Sequence, residues 1–357
     1  MSESHPAPGG AAVVDPRRKI RRALVGALVA AIATIVLFSL FGDLGEIRTA
    51  IRGFDTRVIP LVIALTIWNY IWRAIKFRWF TAELGVPSAG VRLDTLIFLS
   101  GMALTITPGK VGELIRTVYI RRLTGAPPNR TSAAIIADRI TDGLAMLALA
   151  MAGLFEFRYG RPFLALVLVA LAGGLILIQR PELLHRIINR FAGMRIVGGG
   201  VVHARAFIDA THTLFRPRML AKGFGISLFS WYGECIAFFL ILVGLGLDAS
   251  WSLLLAATFI LAVSSLAGGA SMLPGGLGIA DATVAGMLLL LIDDPEMNRS
   301  LAAAATLLVR FATLWLGVVI GAVALGILER ETRGLAHIPD LTEHEVANGS
   351  PIIQKGP

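Results

Sequence analysis

Apolar runs close to the thickness of a bilayer, several to a chain, leave few ways to fold. Ala23–Phe41 and Phe163–Ile178 are such runs, and neither contains a charged residue. About 20 helical residues at about 1.5 Å each cross a hydrocarbon core of roughly 30 Å. Charged residues make up 16% of the chain, hydrophobic residues 55%, and the mean hydropathy is +0.74. A soluble domain carries about 25% charged residues. A large soluble bundle is therefore disfavoured, and the expected class is an all-α polytopic membrane protein.

The net charge of +9 would suit nucleic acid if it were clustered on a domain. Instead the basic residues end apolar segments, where the positive-inside rule and anionic headgroups account for them. No nucleic-acid partner is expected. The single cysteine, Cys235, excludes an intramolecular disulfide. The histidines stand at no metal-ligand spacing, so no metal and no cofactor is expected. No nucleophile set and no nucleotide-binding loop is visible, and the chain reads as a non-enzyme without a catalytic residue. Arg17, Arg18, Lys19, Arg21 and Arg22 precede the first apolar run as in a signal peptide. No small-residue cleavage site follows, so the run reads as a retained helix.

Six spanning helices are expected, at 23–41, 58–80, 132–154, 162–178, 219–245 and 300–328. Two further apolar stretches, 93–122 and 251–292, are broken near their middles. The first break reads Thr107-Pro108-Gly109-Lys110-Val111-Gly112-Glu113, the second Leu273-Pro274-Gly275-Gly276-Leu277-Gly278-Ile279. Proline and clustered glycines stop a helix. In lipid the backbone so freed must be buried in protein or line a wet cavity. Each stretch is thus a helical hairpin. The arm 93–107 gives only about 22 Å of helix, so that hairpin is expected to be re-entrant. The arm 251–273 is long enough to cross, and its depth stays open.

The chain then divides into a disordered basic N-terminus (1–22) and a first helix with an external loop (23–57). Repeat 1 (58–154) contains the hairpin 93–122, and 155–178 is a connecting helix. A cytoplasmic amphipathic loop (179–218) precedes repeat 2 (219–328), which contains the hairpin 251–292, and a cytoplasmic tail (329–357) follows. In the loop, Leu183, Leu184, Ile187, Ile188 and Phe191 recur at helical spacing. That suits an interfacial helix or one packed under the bundle. Arg73, Lys76 and Arg78, then Arg116, Arg121, Arg122 and Arg130, fall on one side, which places both termini in the cytoplasm and the chain in a bacterial inner membrane.

The halves resemble each other. Leu65-Thr66-Ile67-Trp68-Asn69-Tyr70 before the first break answers to Ile226-Ser227-Leu228-Phe229-Ser230-Trp231-Tyr232 before the second. Proline to arginine is 31 residues from Pro108 to Arg139 and 36 from Pro274 to Arg310. By the charge rule the repeats start on opposite sides, so the topology is inverted. Broken helices at matched positions of inverted halves point to a midplane transport site.

Arg139 and Arg310 lie within apolar helices, where an arginine costs roughly 2.5–3.5 kcal/mol. Each therefore needs a partner, a wet cavity or both. Asp138 and Asp142, one turn apart, can neutralise Arg139. Two readings remain open: an ion pair that only locks helices, or a guanidinium-lined cavity for a phosphate. Helices starting after the turns would aim N–H groups at the same place, with Lys110 adding a mobile charge. Glu113 and Asp281 are either site residues or ordinary helix-start acids. Arg116 shares a face with Glu113 and can pair with it. Arg73, which can snorkel to the interface, and Glu234 occupy matching positions. Trp68, Tyr70, Trp72 and Trp79 read as an interfacial aromatic belt.

The segments TPGKVGELIR, ADRITDGL and LPGGLGIADA together resemble the transmembrane region of the lysylphosphatidylglycerol synthase family, the flippase domain of the multiple peptide resistance factor and its stand-alone relatives. The resemblance covers roughly residues 20–330 and implies two re-entrant elements and lipid translocation. Glu113, Arg116, Asp138, Arg139, Asp142, Pro274, Gly275 and Asp281 fall on the family pattern. The polar tail ends at 357, so no aminoacyl-transferase domain is expected. Stand-alone relatives resemble carriers of other phospholipids, polyprenyl-linked sugars or hopanoids. The expected substrate is therefore an anionic or amphipathic membrane lipid. A second copy and a separately encoded lipid-modifying enzyme are the protein partners this allows. A small-anion carrier, an intramembrane lipid enzyme and a non-catalytic assembly subunit are the alternatives.

Overall fold

The computed structural model describes residues 43–107, 112–153, 169, 214 and 216–332. The expectations for 1–22, 23–41, nearly all of 162–178 and of 179–218, the tail beyond 332, and Pro108, Gly109 and Lys110 lie outside them.

Every regular element among the described residues is helical. The α-helices are α1 (Leu44–Arg52), α2 (Ile59–Glu83), α3 (Val91–Met102), α4 (Ile115–Thr124), α5 (Pro128–Gly153), α6 (Pro217–Gly244), α7 (Trp251–Ala270), α8 (Ile279–Leu291), α9 (Arg299–Arg310) and α10 (Leu316–Thr332). A π-helical turn, Phe311–Trp315, joins α9 to α10. Among the described residues, five segments are long and apolar enough to cross a membrane: Thr56–Glu83, Pro217–Gly244, Trp251–Ala270, Pro274–Leu291 and Arg299–Thr332. Helix α5 has 26 residues, but Arg130, Asp138, Arg139 and Asp142 lower its hydropathy.

Helix α1 falls in what the sequence suggests is an external loop. The Asp43 side chain caps it, accepting from the Gly45 and Glu46 amides at 2.7 and 3.1 Å. Glu46 in the first turn and Arg52 in the last suit the helix dipole. Glu46 also accepts from Ser300 Oγ at 2.7 Å, which ties α1 to α9.

Helix α2 shows how the bilayer sorts a sequence. Thr66, Asn69, Tyr70, Arg73, Lys76, Phe77 and Phe80 recur at helical spacing and are buried. Leu61, Ile63, Ile67, Ile71 and Ile75 point outward and are exposed. Polar inward and apolar outward is the reverse of a soluble helix, and is what a lipid solvent demands. Arg73 therefore does not snorkel, and Lys76 is not a cytoplasmic flank. Both point into the protein.

Helices α2 and α6 pack along each other, as do α3 with α10 and α5 with α7. Exchanging the two halves, helix for helix, carries the α3–α10 contact onto the α7–α5 contact. At the α2–α6 crossing, Ser230 Oγ donates to the Asn69 carbonyl at 3.2 Å. The two residues are 161 positions apart, and the same offset carries Arg73 onto Glu234. The close approach of α3 to α10 depends on Gly321, where a Cβ would stand 2.3 Å from the Ala103 nitrogen. At the break between α7 and α8, Gly275, Gly276 and Gly278 take φ of 60°, 68° and 83°, conformations that favour glycine.

The apolar core forms two main clusters. Along α5, Ala133, Ala134, Ile135 and Ala137 belong to the cluster with Phe77, Phe80 and Phe98, and Ala150 to that with Phe238 and Phe259. The charged stretch Asp138–Asp142 lies between them.

Candidate functional site

The charges of α2, α4 and α5 meet in one network. Lys76 Nζ lies 2.8 Å from Asp138 Oδ1 and 2.6 Å from Asp142 Oδ1. Arg73 Nε approaches Asp142 Oδ2 at 3.4 Å, and its guanidinium stacks over Trp231. Arg139 reaches Glu113 at 3.0 Å, Asp138 at 3.1 Å and Asp142 at 3.8 Å. Arg116 stands 3.7 Å from Glu113 and is fully buried. Its Nε donates to the Phe98 carbonyl at 3.1 Å, and its guanidinium lies over the Phe98 ring. A Cβ at Gly101 would sit 2.2 Å from that Nε, so only glycine leaves room for the arginine there.

The second half holds a sparser counterpart. Asp281 uses one carboxylate oxygen to accept from the Gly278 amide at 2.9 Å and the other to pair with Arg310. Arg310 also donates to the Gly275 carbonyl at 3.2 Å, inside the broken turn. Asp281 thus serves as helix cap and ion-pair partner at once. Glu113 likewise does more than start a helix. In both halves an acid just past the Pro-Gly break pairs with the arginine of the next long helix.

Both arginines line one cavity of about 170 Å³. Every described helix except α1 contributes to its wall. Arg73, Arg116, Arg139 and Arg310 supply positive charge; Glu113 and Glu234 supply negative charge. Gly275 and Gly276 of the second turn also line it, as do Tyr70, Trp231, Ser264 and Thr313. Asp138, Asp142 and Asp281 are not among its lining residues and hold the arginines from behind. Gly112 does not line it either; its amide donates to Thr107 Oγ1 at 2.7 Å across the first break. Gly278 is likewise occupied by its bond to Asp281.

Residues 24–321 match the family model described as the lysylphosphatidylglycerol synthase TM region. The chain belongs to this family. It is also similar to a UPF0104 membrane protein of Methanothermobacter thermautotrophicus, 26% identical over 84% of this chain and 94% of the relative. In this lysylphosphatidylglycerol synthase TM-region protein, three charged or aromatic residues stand elsewhere than expected. Lys76 is in the charged network, Arg73 is in the cavity wall, and Tyr70 is buried rather than in an aromatic belt, its hydroxyl donating to the Thr313 carbonyl at 2.5 Å. The signal for all three was their spacing, which continues the stripe of Thr66 and Asn69. Trp68 and Trp72 lie near the middle of α2 with Phe229 packed edge-on against both, not at its ends.

Proposed function

We propose that this protein moves an amphipathic, anionic lipid between the leaflets of the bacterial inner membrane, passing the headgroup through the arginine-lined cavity. One observation carries the reading: two arginines from equivalent places in the two halves face the same space. A guanidinium offers planar, paired donors that suit phosphate. The headgroup passes along the charged wall while the acyl chains stay in the bilayer. The apolar outer surfaces of α2 and α10 suit that passage. The reading takes the chain as a multi-pass protein with two inverted repeats, re-entrant hairpins and cytoplasmic termini. The exchangeable packing of the halves supports the repeat. The short helices α3 and α4, about 18 and 15 Å long, support the re-entrant first hairpin. The family supports the lipid, and no step of the passage requires bond-making by the chain.

The test is reconstitution of the full chain with tail-labelled anionic and zwitterionic lipids, following loss of inner-leaflet protection. Exchange should exceed that of empty vesicles at least tenfold. Arg139→Ala, checked for folding, should lose at least tenfold of that rate. Equal exchange in the variant would remove the site. Absence of exchange for every lipid, with uptake of a small anion, would replace the lipid with a solute.

A further inference from the structure

Lys76 is fully buried, and five oxygen atoms surround its ammonium. Asp142 Oδ1 and Ser227 Oγ stand at 2.6 Å, Asp138 Oδ1 at 2.8 Å, Thr141 Oγ1 at 3.2 Å and the Asp138 carbonyl at 3.3 Å. An ammonium has three hydrogens, so five oxygens exceed what it can satisfy directionally. Asp138 Oδ1 is buried and pairs with the ammonium at 2.8 Å, so that all five oxygens converge on one cation.

The division of the carboxylates is equally specific. The Oδ1 atoms of Asp138 and Asp142 turn to Lys76, while their Oδ2 atoms turn to Arg139 and Arg73. The arginines therefore cannot serve the inner oxygens. Two carboxylates, two hydroxyls and a carbonyl are the ligand set of a hard cation. Ammonium and potassium ions are of closely similar size.

We propose that the pocket formed by Asp138, Thr141, Asp142 and Ser227 is a monovalent-cation site, with Lys76 as its resident, tethered cation. Shortening the lysine turns it into a site for an alkali-metal ion, preferring potassium. Where the chain acts as a transporter, as proposed above, the tethered charge makes that transport independent of sodium and potassium gradients.

The experiment follows thermal unfolding of the full chain in lipid nanodiscs, in choline, sodium or potassium chloride at equal ionic strength. Wild type should unfold at one temperature in all three. Lys76→Ala should unfold lower in choline and rise about 2 °C per tenfold increase in potassium above its Kd. Lys76→Met, which fills the space with an apolar stem, should show no such rise. A Lys76→Ala protein that unfolds alike in choline and potassium, or folds in no salt, would overturn the site. So would a wild type that depends on alkali cations, or an equal potassium response in Lys76→Met. A potassium response in Lys76→Ala alongside absent lipid exchange in wild type would leave the site standing and remove the transport reading.

Discussion

The two halves of the molecule share a plan and differ in how they are charged. In the first, Arg73, Lys76, Arg116 and Arg139 interlock with Glu113, Asp138 and Asp142, and each carboxylate touches at least two cations. In the second, Arg310 has, among the described residues, one carboxylate partner, Asp281, and one backbone carbonyl. A network in which each charge has several partners yields only by losing several contacts together. A single pair yields when one competitor takes its place. The first half is therefore the more densely paired wall of the cavity, and the second half the more sparsely paired one. The π-helical turn directly after Arg310 fits that contrast, because such turns interrupt regular helix bonding and recur at functional sites.

The contrast breaks most visibly at the carboxylates. Asp142→Ala leaves Lys76 and Arg73 buried with reduced compensation and should cost about 3–5 kcal/mol of stability. Asp281→Ala loses a helix cap and one ion pair, with Arg310 retaining the Gly275 carbonyl, and should cost about 2 kcal/mol. Reversible unfolding in lipid nanodiscs ranks the two. An Asp281 variant as damaging as the Asp142 variant would mean that the halves are equally committed. Asp142→Asn, which keeps the shape and removes the charge, should fall between them.

Much of this arrangement is legible in the sequence because lipid punishes misplaced charge. Arg139 and Arg310 stand out within apolar helices, and the Pro-Gly breaks mark where the backbone must be satisfied by something other than its own helix. Lys76 and Arg73 are less legible. A basic residue near the end of an apolar run serves equally well as a topological flank, and only its phase on the helix, shared with Thr66 and Asn69, separates the two roles. The pairing of Lys76 with Asp138, Asp142 and Ser227 joins residues up to 151 positions apart, and no local pattern encodes such contacts. Nor does any composition signal the π-helical turn at Phe311–Trp315, whose hydrogen bond to Tyr70 spans 243 positions.

That bond is the finest probe of the contrast, since it joins α2 of the charged half to the turn of the sparse one. Removing the hydroxyl with Tyr70→Phe leaves the ring packing and the charged network in place. The expected loss is about 1 kcal/mol, the smallest of these effects. Its location matters more than its size. Amide exchange should quicken at residues 311–317, where the Thr313 carbonyl loses its donor, and stay unchanged at 138–142 on α5. Faster exchange on both sides would mean that Tyr70 holds the charged network together. Faster exchange at the turn alone would make the second half the softer wall of the cavity, with Tyr70 as the strut that keeps it closed.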